Sequence, residues 1–279
     1  MAVPTKTLPS GDELPMAGVG TWKLSGDTVR DSIRAGLDAG YGHVDTAEGY
    51  KNEREIGDAL SEYDREEVFL TSKVLPKHLN YESVITSCEE SLERLGTDYL
   101  DLYLIHWPNP AVSLRETFDA MTTLHERGKI RNVGVSNFTT YQLSAARHIS
   151  DIPIAVNQVE YHPWCMQDET VEYCRETDTV IEAAAPLART EIFADETIQE
   201  VAEKYDRSPA QIVLKWSVEN DVVVLPKSSS PEHVRANLDL FDWTLDDEDH
   251  ALIDAIDHHQ PVYDYGPRNW TDDTYGISQ

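Results

Sequence analysis

Apolar runs that favour β-strands alternate with amphipathic stretches along most of the chain. The strand-like runs are residues 18–22, 43–45, 68–73, 99–106, 130–135, 154–159, 179–183 and 221–225. Helical periodicity follows these runs at residues 27–39, 53–60, 81–95, 114–127, 140–148, 168–176, 198–205, 209–218 and 232–238. Hydrophobic positions that recur every three to four residues predict helices packed on one face, so the pattern describes repeated strand–helix units.

Eight strand–helix units joined by short connections predict a parallel sheet with crossover helices. In a chain of 279 residues this number favours an α/β fold of the closed (β/α)8 TIM barrel type. A doubly wound open sheet is the alternative, but no G-x-G-x-x-G motif follows the first strand. We further expect an N-terminal hairpin over 5–16, an extra C-terminal helix over 245–256, and one domain over 1–279 whose tail, 259–279, covers the active-site face.

The charge of the chain is strongly acidic, with 51 Asp and Glu against 23 Lys and Arg and a net charge of −28. The acids are spread along the sequence, which is typical of a salt-adapted (halophilic) protein because screening at molar salt removes their mutual repulsion. No basic patch is available to neutralise phosphates, so nucleic acid is not expected as a partner.

The cellular compartment is predicted from two kinds of segment, membrane spans and signal peptides. No apolar run reaches the length of a membrane span, and the N-terminus has no apolar signal core. We therefore expect a cytoplasmic protein without a membrane partner. The three cysteines are odd in number and have neither CxxC nor zinc-ligand spacing, which predicts buried or idle thiols and no metal.

Polar side chains collect at the C-terminal ends of the predicted strands, where active sites of such barrels lie. They are Trp22, Asp45, Lys73, His106, Ser136, Asn137, Glu160 and Lys227. Tyr50 follows Asp45 at the edge of the next helix. A phenol with a pKa of about 10 is a weak acid, and an ammonium such as Lys73 lowers that pKa. Asp45 can pair with Lys73, and His106 can orient the substrate oxygen. These side chains suit the reduction of a carbonyl group. A nicotinamide cofactor must then supply the hydride, because no side chain can.

Five ordered motifs resemble the aldo-keto reductase family, in particular its prokaryotic members similar to diketo-gluconate and methylglyoxal reductases. They are Gly40 to Gly57, Leu95 to Pro108, Gly134 to Phe138, Asn157 to Pro163 and Leu225 to Ser228. The resemblance implies a barrel enzyme in which Tyr50 donates a proton and Asp45, Lys73 and His106 complete a catalytic tetrad. It also implies NADP(H), possibly NAD(H), held in an extended form by Thr21, Ser136, Asn137, Gln158, Leu187, Lys227, Ser228, His233 and Asn237.

Four positions depart from the family pattern. Ala184 stands where an aromatic ring usually stacks on the nicotinamide, and His233 stands where an arginine usually clamps the adenosine 2′-phosphate. Because a mostly neutral imidazole does not replace a guanidinium, we expect weakened NADPH preference. Ala236 also replaces a usual acid. Leu75, in place of a common tryptophan, predicts a wider and more aliphatic pocket.

Trp22, Leu75 and Trp107 are the expected substrate contacts, and the tail adds Tyr263, Tyr265, Trp270 and Tyr275 to the rim. The short connection after Trp107 resembles members that act on small aldehydes, ketoacids and sugar-derived carbonyls. A monomer or weak homo-oligomer is expected. Two other functions remain open at this point: a cofactor-sensing barrel with little turnover, and a metal-dependent hydrolase using His43, Asp45 and His106.

Overall fold

The computed structural model describes residues 3–256 and 259–263. A short antiparallel hairpin comes first, formed by β1 (Thr5–Thr7) and β2 (Glu13–Pro15). Eight strands follow: β3 (Val19–Gly20), β4 (His43–Asp45), β5 (Phe69–Val74), β6 (Leu100–Ile105), β7 (Ile130–Ser136), β8 (Ile154–Glu160), β9 (Val180–Ala184) and β10 (Val223–Val224).

Helices separate the strands and surround them. They are α1 (Gly26–Ala39), α2 (Glu53–Leu60), α3 (Tyr81–Leu95), α4 (Leu114–Glu126), α5 (Thr140–Ile149), α6 (Asp168–Glu176), α7 (Glu196–Tyr205), α8 (Pro209–Glu219), α9 (Pro231–Ala236) and α10 (Asp247–Asp254). Short 3-10 helices occur at Glu48–Tyr50, Arg65–Glu67, Pro76–His78 and Ala188–Ala194.

The eight strands pair in parallel and in chain order from β3 to β10. The first and last strands then meet, because the Gly18 amide donates to Val224 O at 2.9 Å and the Val224 amide donates to Met16 O at 3.0 Å. A Cβ on Gly20 would lie 2.7 Å from the backbone oxygen of Leu225, so only glycine permits this approach. The predicted (β/α)8 barrel with its N-terminal hairpin is therefore confirmed.

The predicted and observed elements differ mainly where backbone geometry departs from regular periodicity. The first and eighth barrel strands span two residues each, shorter than predicted, because single closing hydrogen bonds replace a regular ladder there. The 3-10 segment Ala188–Ala194 was not predicted. Arg189 (φ 52°) and Thr190 (φ 74°) adopt left-handed backbone conformations inside it, and no sequence period indicates such a turn.

A buried polar cluster joins α2, β5 and α3 behind the Lys73 strand. Ser72 Oγ donates to Glu53 Oε1 at 2.6 Å, and Arg94 Nε donates to Glu53 Oε2 at 2.8 Å. Glu53 is 1% exposed, so its charge needs these partners. The cluster holds the helix that follows Tyr50 against the strand that carries Lys73.

The cysteines and the helix lengths bear on the expectations about thiols and membrane spans. Cys88 and Cys174 are buried and Cys165 is half-buried, all as free thiols. Among the residues that the structure describes, no helix has the length and apolar character needed to cross a bilayer.

Candidate active site

Asp45 and Lys73 meet at the C-terminal ends of β4 and β5. Lys73 Nζ donates to both carboxylate oxygens of Asp45 at 2.7 Å and to Thr46 O at 2.9 Å. Both side chains are almost completely buried. A buried ammonium with three acceptors is satisfied, and each charge compensates the other. The adjacent parallel strands that the sequence predicts bring this pair together.

Tyr50 and His106 lie beside the pair. The Tyr50 and His106 rings have centroids 5.5 Å apart with an interplanar angle of 74°. The Lys73 ammonium is 5.1 Å from the centre of the Tyr50 ring. The structure therefore gathers Asp45, Tyr50, Lys73 and His106 into one cluster, from four segments that are separate in sequence.

The pKa of Tyr50 differs from the sequence-based expectation. Burial raises the pKa of Tyr50 well above its usual value, and the Asp45 carboxylate raises it further. This net direction is opposite to the lowering that was expected from Lys73, because burial and the Asp45 carboxylate dominate the shift. Tyr50 consequently keeps its proton throughout the neutral range.

His106 is a neutral imidazole in this environment. Burial lowers the pKa of His106 well below its usual value, and the nearby Lys73 charge contributes in the same direction. Its backbone amide donates to Val74 O at 3.0 Å, which ties His106 to the end of β5. A neutral imidazole carries one N–H donor, so His106 can hydrogen-bond a ligand oxygen without adding charge.

A second buried carboxyl group, Glu182 on β9, extends the cluster. The amide nitrogen of Gln158 donates to Asp45 Oδ2 at 3.0 Å and to Glu182 Oε2 at 2.9 Å. Burial raises the pKa of Glu182 to about 8, with repulsion from Asp45 as the next cause. Gln158, expected to bind cofactor, thus also links two carboxyl groups. Glu182 was not identified from the sequence.

Ser136 ends β7 next to Gln158, and Asn137 follows it directly. Ser136 Oγ donates to Gln158 O at 2.8 Å, and Asn137 Nδ2 donates to His106 O at 3.0 Å. Asn137 has a left-handed backbone (φ 61°), and its buried Oδ1 has no hydrogen-bond partner among residues 3–256 and 259–263. This free acceptor at the cavity wall fits the NH₂ donors of a nicotinamide carboxamide.

A cavity of about 330 Å³ opens above these side chains. Of the residues predicted to form the site, the cavity is lined by Thr21, Trp22, Asp45, Tyr50, His106, Trp107, Ser136, Asn137, Gln158, Leu187 and Lys227. Lys73 lies beneath its wall. Ala184 also lines the cavity, so the face where an aromatic ring was expected is occupied by a methyl group.

Besides Lys73, four predicted residues lie outside the cavity lining. Leu75 is buried, and its amide donates to Glu48 Oε1 at 2.5 Å. Ser228 accepts the Ser230 amide at 3.1 Å, just before α9. On α9 itself His233 is exposed, and at its end Asn237 is buried. The structure therefore does not bring these four side chains into contact with the main cavity.

Two charged residues of the cavity, Lys23 and Arg189, were not predicted from the sequence. Lys23 Nζ lies 4.6 Å from the centre of the Trp22 ring. The Arg189 guanidinium carbon lies 5.0 Å from the centre of the Trp22 ring. Lys23 follows directly after Trp22, so its position at a strand end was a usable signal. Arg189 lies in the irregular 188–194 turn, where periodicity carries no information.

Part of the tail reaches the cavity. Glu160, at the end of β8, accepts the backbone amides of Val262 at 2.5 Å and Tyr263 at 3.0 Å. Tyr263 lines the cavity, with its ring centroid 6.1 Å from that of Trp107. Tyr265, Trp270 and Tyr275 lie outside the described residues.

His43 is separated from the cavity. It is fully buried, its Nε2 lies 3.0 Å from Thr71 Oγ1, and burial lowers its pKa to about 3. The three-ligand set of a metal hydrolase required His43 to converge with Asp45 and His106. In the part of the chain that the structure describes, no group of three His, Cys, Asp or Glu side chains could hold a metal ion.

Comparison with known proteins identifies the family. The aldo/keto reductase family profile matches residues 16–258. The chain is 40% identical to the glyoxal reductase of Bacillus subtilis over 261 residues, which cover 92% of this chain and 94% of that protein. The chain thus belongs to the aldo/keto reductase family, and it is an oxidoreductase.

Solved structures agree with this assignment. A crystal structure of an aldo/keto reductase from Brucella melitensis superposes with a TM-score of 0.87 at 39% identity, covering 92% of this chain and 100% of that one. A Bombyx mori aldo-keto reductase in complex with NADP superposes with a TM-score of 0.88 at 30% identity, covering 95% and 96% of the two chains.

Proposed function

We propose that the protein reduces small aldehydes and ketones with NADPH or NADH, and that Tyr50 donates the proton to the carbonyl oxygen. The observation that carries the proposal is the cluster of Tyr50, His106 and the buried Asp45–Lys73 pair at one cavity. The reductase names of the similar proteins support the reaction class.

Each side chain of the cluster has a separate task. The neutral Tyr50 phenol retains its proton until a carbonyl oxygen gains electron density. The phenolate that then forms is stabilised by Lys73, 5.1 Å from the ring, while Asp45 keeps the ammonium in place. Neutral His106 donates a hydrogen bond that orients the oxygen.

NAD(P)H, when bound, supplies the hydride that no side chain can provide. The residues present fit such a group: Asn137 offers the carboxamide a buried acceptor that has no partner in the described part of the chain, and Ser136 and Gln158 adjoin it. Lys23 and Lys227 provide positive charge at the same cavity for the cofactor phosphates. A sensor with little turnover is not favoured, because the relatives are reductases.

The proposal is tested by Tyr50→Phe, which removes the phenolic proton and little else. Turnover of methylglyoxal or glyceraldehyde should fall roughly a hundredfold to ten-thousandfold, while the cofactor dissociation constant stays unchanged. Both are measured, by NADPH oxidation and by quenching of protein fluorescence. Tyr141→Phe, at a tyrosine that is 83% exposed, is the matched control and should behave as wild type.

If Tyr50→Phe retained most of its turnover, Tyr50 would not be the proton donor.

The preference between the two cofactors is measured by steady-state kinetics with NADPH and with NADH. Because His233 is exposed and carries no guanidinium, a preference for NADPH over NADH below about a hundredfold, or about 2.7 kcal/mol, is expected. A larger preference contradicts the assigned weakness of the 2′-phosphate site.

A further inference from the structure

Glu182 on β9 is a fully buried carboxyl group outside the cavity lining. Its Oε2 accepts a hydrogen bond from the Gln158 amide nitrogen at 2.9 Å. Its Oε1 is buried and has no hydrogen-bond partner among residues 3–256 and 259–263. A carboxylate with so few hydrogen bonds is costly in a buried site, whereas a neutral acid costs much less. The surroundings therefore favour the acid form of Glu182.

The uncharged neighbours of Glu182 come from three strands. Its register partners, Gln158 on β8 and Val223 on β10, carry no charge. On β4, His43 Nε2 lies 4.0 Å from Glu182 Oε1. Burial lowers the pKa of His43 to about 3, so the imidazole is neutral and does not offset a negative charge on Glu182.

Two charged groups act on Glu182, and they are the members of the buried ion pair. Burial is the main reason that the pKa of Glu182 is raised to about 8, repulsion from Asp45 adds to the effect, and attraction to Lys73 opposes it. Lys73 Nζ already donates to both oxygens of Asp45 at 2.7 Å. Ionisation of Glu182 therefore sets two carboxylates against one ammonium and leaves one negative charge in excess.

This excess charge acts against the proton transfer from Tyr50. Loss of the proton leaves a phenolate beside Lys73, whose ammonium is 5.1 Å from the centre of the Tyr50 ring. Burial raises the pKa of Tyr50, and the Asp45 carboxylate raises it further. A second carboxylate in the same cluster acts with the same sign, and charges interact strongly where water is excluded. Proton transfer is therefore slower when Glu182 is ionised.

We propose that Glu182 is a positioning residue that supports carbonyl reduction only as the neutral acid. In that form it accepts one N–H of Gln158 and leaves the Lys73 ammonium with a single carboxylate partner, Asp45. Ionised Glu182 opposes the developing phenolate and slows the reaction. The inference rests on the proposed proton transfer from Tyr50, and it assigns the upper pH limit of the reaction to a residue outside the cavity lining.

The test is the pH dependence of hydride transfer in single turnovers. Protein loaded with NADPH is mixed with saturating methylglyoxal at constant KCl, and the loss of NADPH absorbance is followed by stopped flow between about pH 6 and about pH 9.5. Each rate is divided by the rate of the same protein at about pH 7, so that a general loss of activity cancels. The wild-type rate should fall about tenfold around pH 8, where Glu182 ionises.

Variants of Glu182 separate its charge from its hydrogen bond. Glu182→Gln has no ionisable group and keeps an acceptor for Gln158, so its normalised rate should fall by less than about threefold over the same range. Glu182→Leu is also neutral and should show the same flat profile. Glu182→Asp keeps a carboxyl group and should retain the decline. Glu172→Gln, at an exposed glutamate on α6, is the matched control and should follow the wild type.

Infrared spectroscopy checks the protonation of Glu182 without relying on a variant. Exposed carboxyl groups are ionised at neutral pH, so the C=O stretching band of a neutral carboxylic acid reports a buried one. The wild type should show this band near pH 7 and lose it in the range in which the rate falls. Absence of the band near pH 7 overturns the inference, whether or not the variants fold.

Failure of the inference differs from failure of the proposed function. A decline in Glu182→Gln and Glu182→Leu equal to that of the wild type assigns the pH limit to another group and overturns the inference, while the reductase function stands. A decline that is lost in Glu182→Asp also overturns it, because the carboxyl group is still present. The proposed function fails instead if the wild type oxidises NADPH with no carbonyl compound at any pH.

Discussion

Glu182 is the residue that most changes the electrostatics of the cluster. Three ionisable side chains, Asp45, Lys73 and Glu182, are buried together, and one ammonium faces two carboxyl groups. Of these two carboxyl groups, Lys73 bonds directly only to that of Asp45, and Gln158 bridges Asp45 to Glu182. The ammonium therefore stabilises one carboxylate, whereas burial leaves the other protonated up to a pKa of about 8.

The raised pKa of Glu182 predicts a component of stability that falls as pH rises. The unfolded chain loses this proton near its ordinary pKa of 4.5, but the folded protein keeps it up to about 8. Between these values the folded state binds more protons, so the free energy of unfolding decreases with pH and then levels off. Glu182→Gln should therefore lose less stability than wild type between about pH 5 and about pH 8, measured by urea unfolding.

The comparison of the two proteins cancels the other titrating groups. The pKa values of His43 and His106 are lowered in the folded protein. Below the ordinary histidine pKa, these two residues make the free energy of unfolding rise with pH, and they do so equally in both proteins. Parallel stability curves for wild type and Glu182→Gln would show that Glu182 is ionised in the folded protein.

At the scale of elements, polar clusters between helices and strands fix the strand ends. Glu53 on α2 receives hydrogen bonds from Ser72 on β5 and from Arg94 on α3. The helix is thereby attached at its first residue, three positions after Tyr50. Packing of α2 therefore bears on the distance between Tyr50 and Lys73.

Arg94→Ala should destabilise the protein by roughly 2 kcal/mol, because it leaves the buried Glu53 carboxylate without its cation. The figure is below that of a fully buried pair, since the Arg94 side chain is 30% exposed. The measurement is urea unfolding monitored by circular dichroism.

The matched control for this variant is a surface ion pair of the same kind. Arg127 lies 3.8 Å from Glu89, and both side chains are 54% exposed. Arg127→Ala should change the free energy of unfolding by less than about 0.5 kcal/mol. Equal effects of the two substitutions would mean that the Glu53 cluster adds nothing to the stability of the fold.

At the scale of the whole molecule, the acid surplus lies largely outside the cavity. Surface carboxylates pair with the few cations, as in Arg30–Asp58 at 2.8 Å and Arg34–Glu62 at 2.5 Å. A net charge of −28 remains, and its self-repulsion acts against the compact state.

Salt should therefore stabilise the fold. The Debye length shortens from about 10 Å at 0.1 M salt to about 3 Å at 1 M, which removes most repulsion between surface charges. The midpoint of thermal unfolding should rise from about 0.1 M to about 3 M KCl. A midpoint independent of KCl contradicts the prediction of salt adaptation.

Screening can be distinguished from other effects of salt by changing surface charge. Asp119→Asn and Glu200→Gln remove carboxylates at exposed positions. Both should raise the unfolding midpoint at low KCl and reduce its dependence on salt. Unchanged salt dependence would indicate that KCl acts by another route.

The sequence alone determined the barrel, because eight alternating strand and helix segments admit few parallel topologies. It also identified Asp45, Tyr50, Lys73 and His106, since parallel strand ends meet at one edge and their polar residues follow the strands directly. Both the barrel and this group of residues follow from the local hydrophobic periodicity and from the order of strands and helices along the chain.

Only the tertiary structure decided the pKa direction of Tyr50, the protonation of Glu182 and the position of Arg189. The Tyr50 and Glu182 pKa values depend on burial and on distances to charges from other strands, which no local pattern encodes. Arg189 depends on a turn of left-handed residues that has no period. The structure also left Leu75, Ser228, His233 and Asn237 outside the cavity lining, because adjacency in a motif does not determine which side chains reach it.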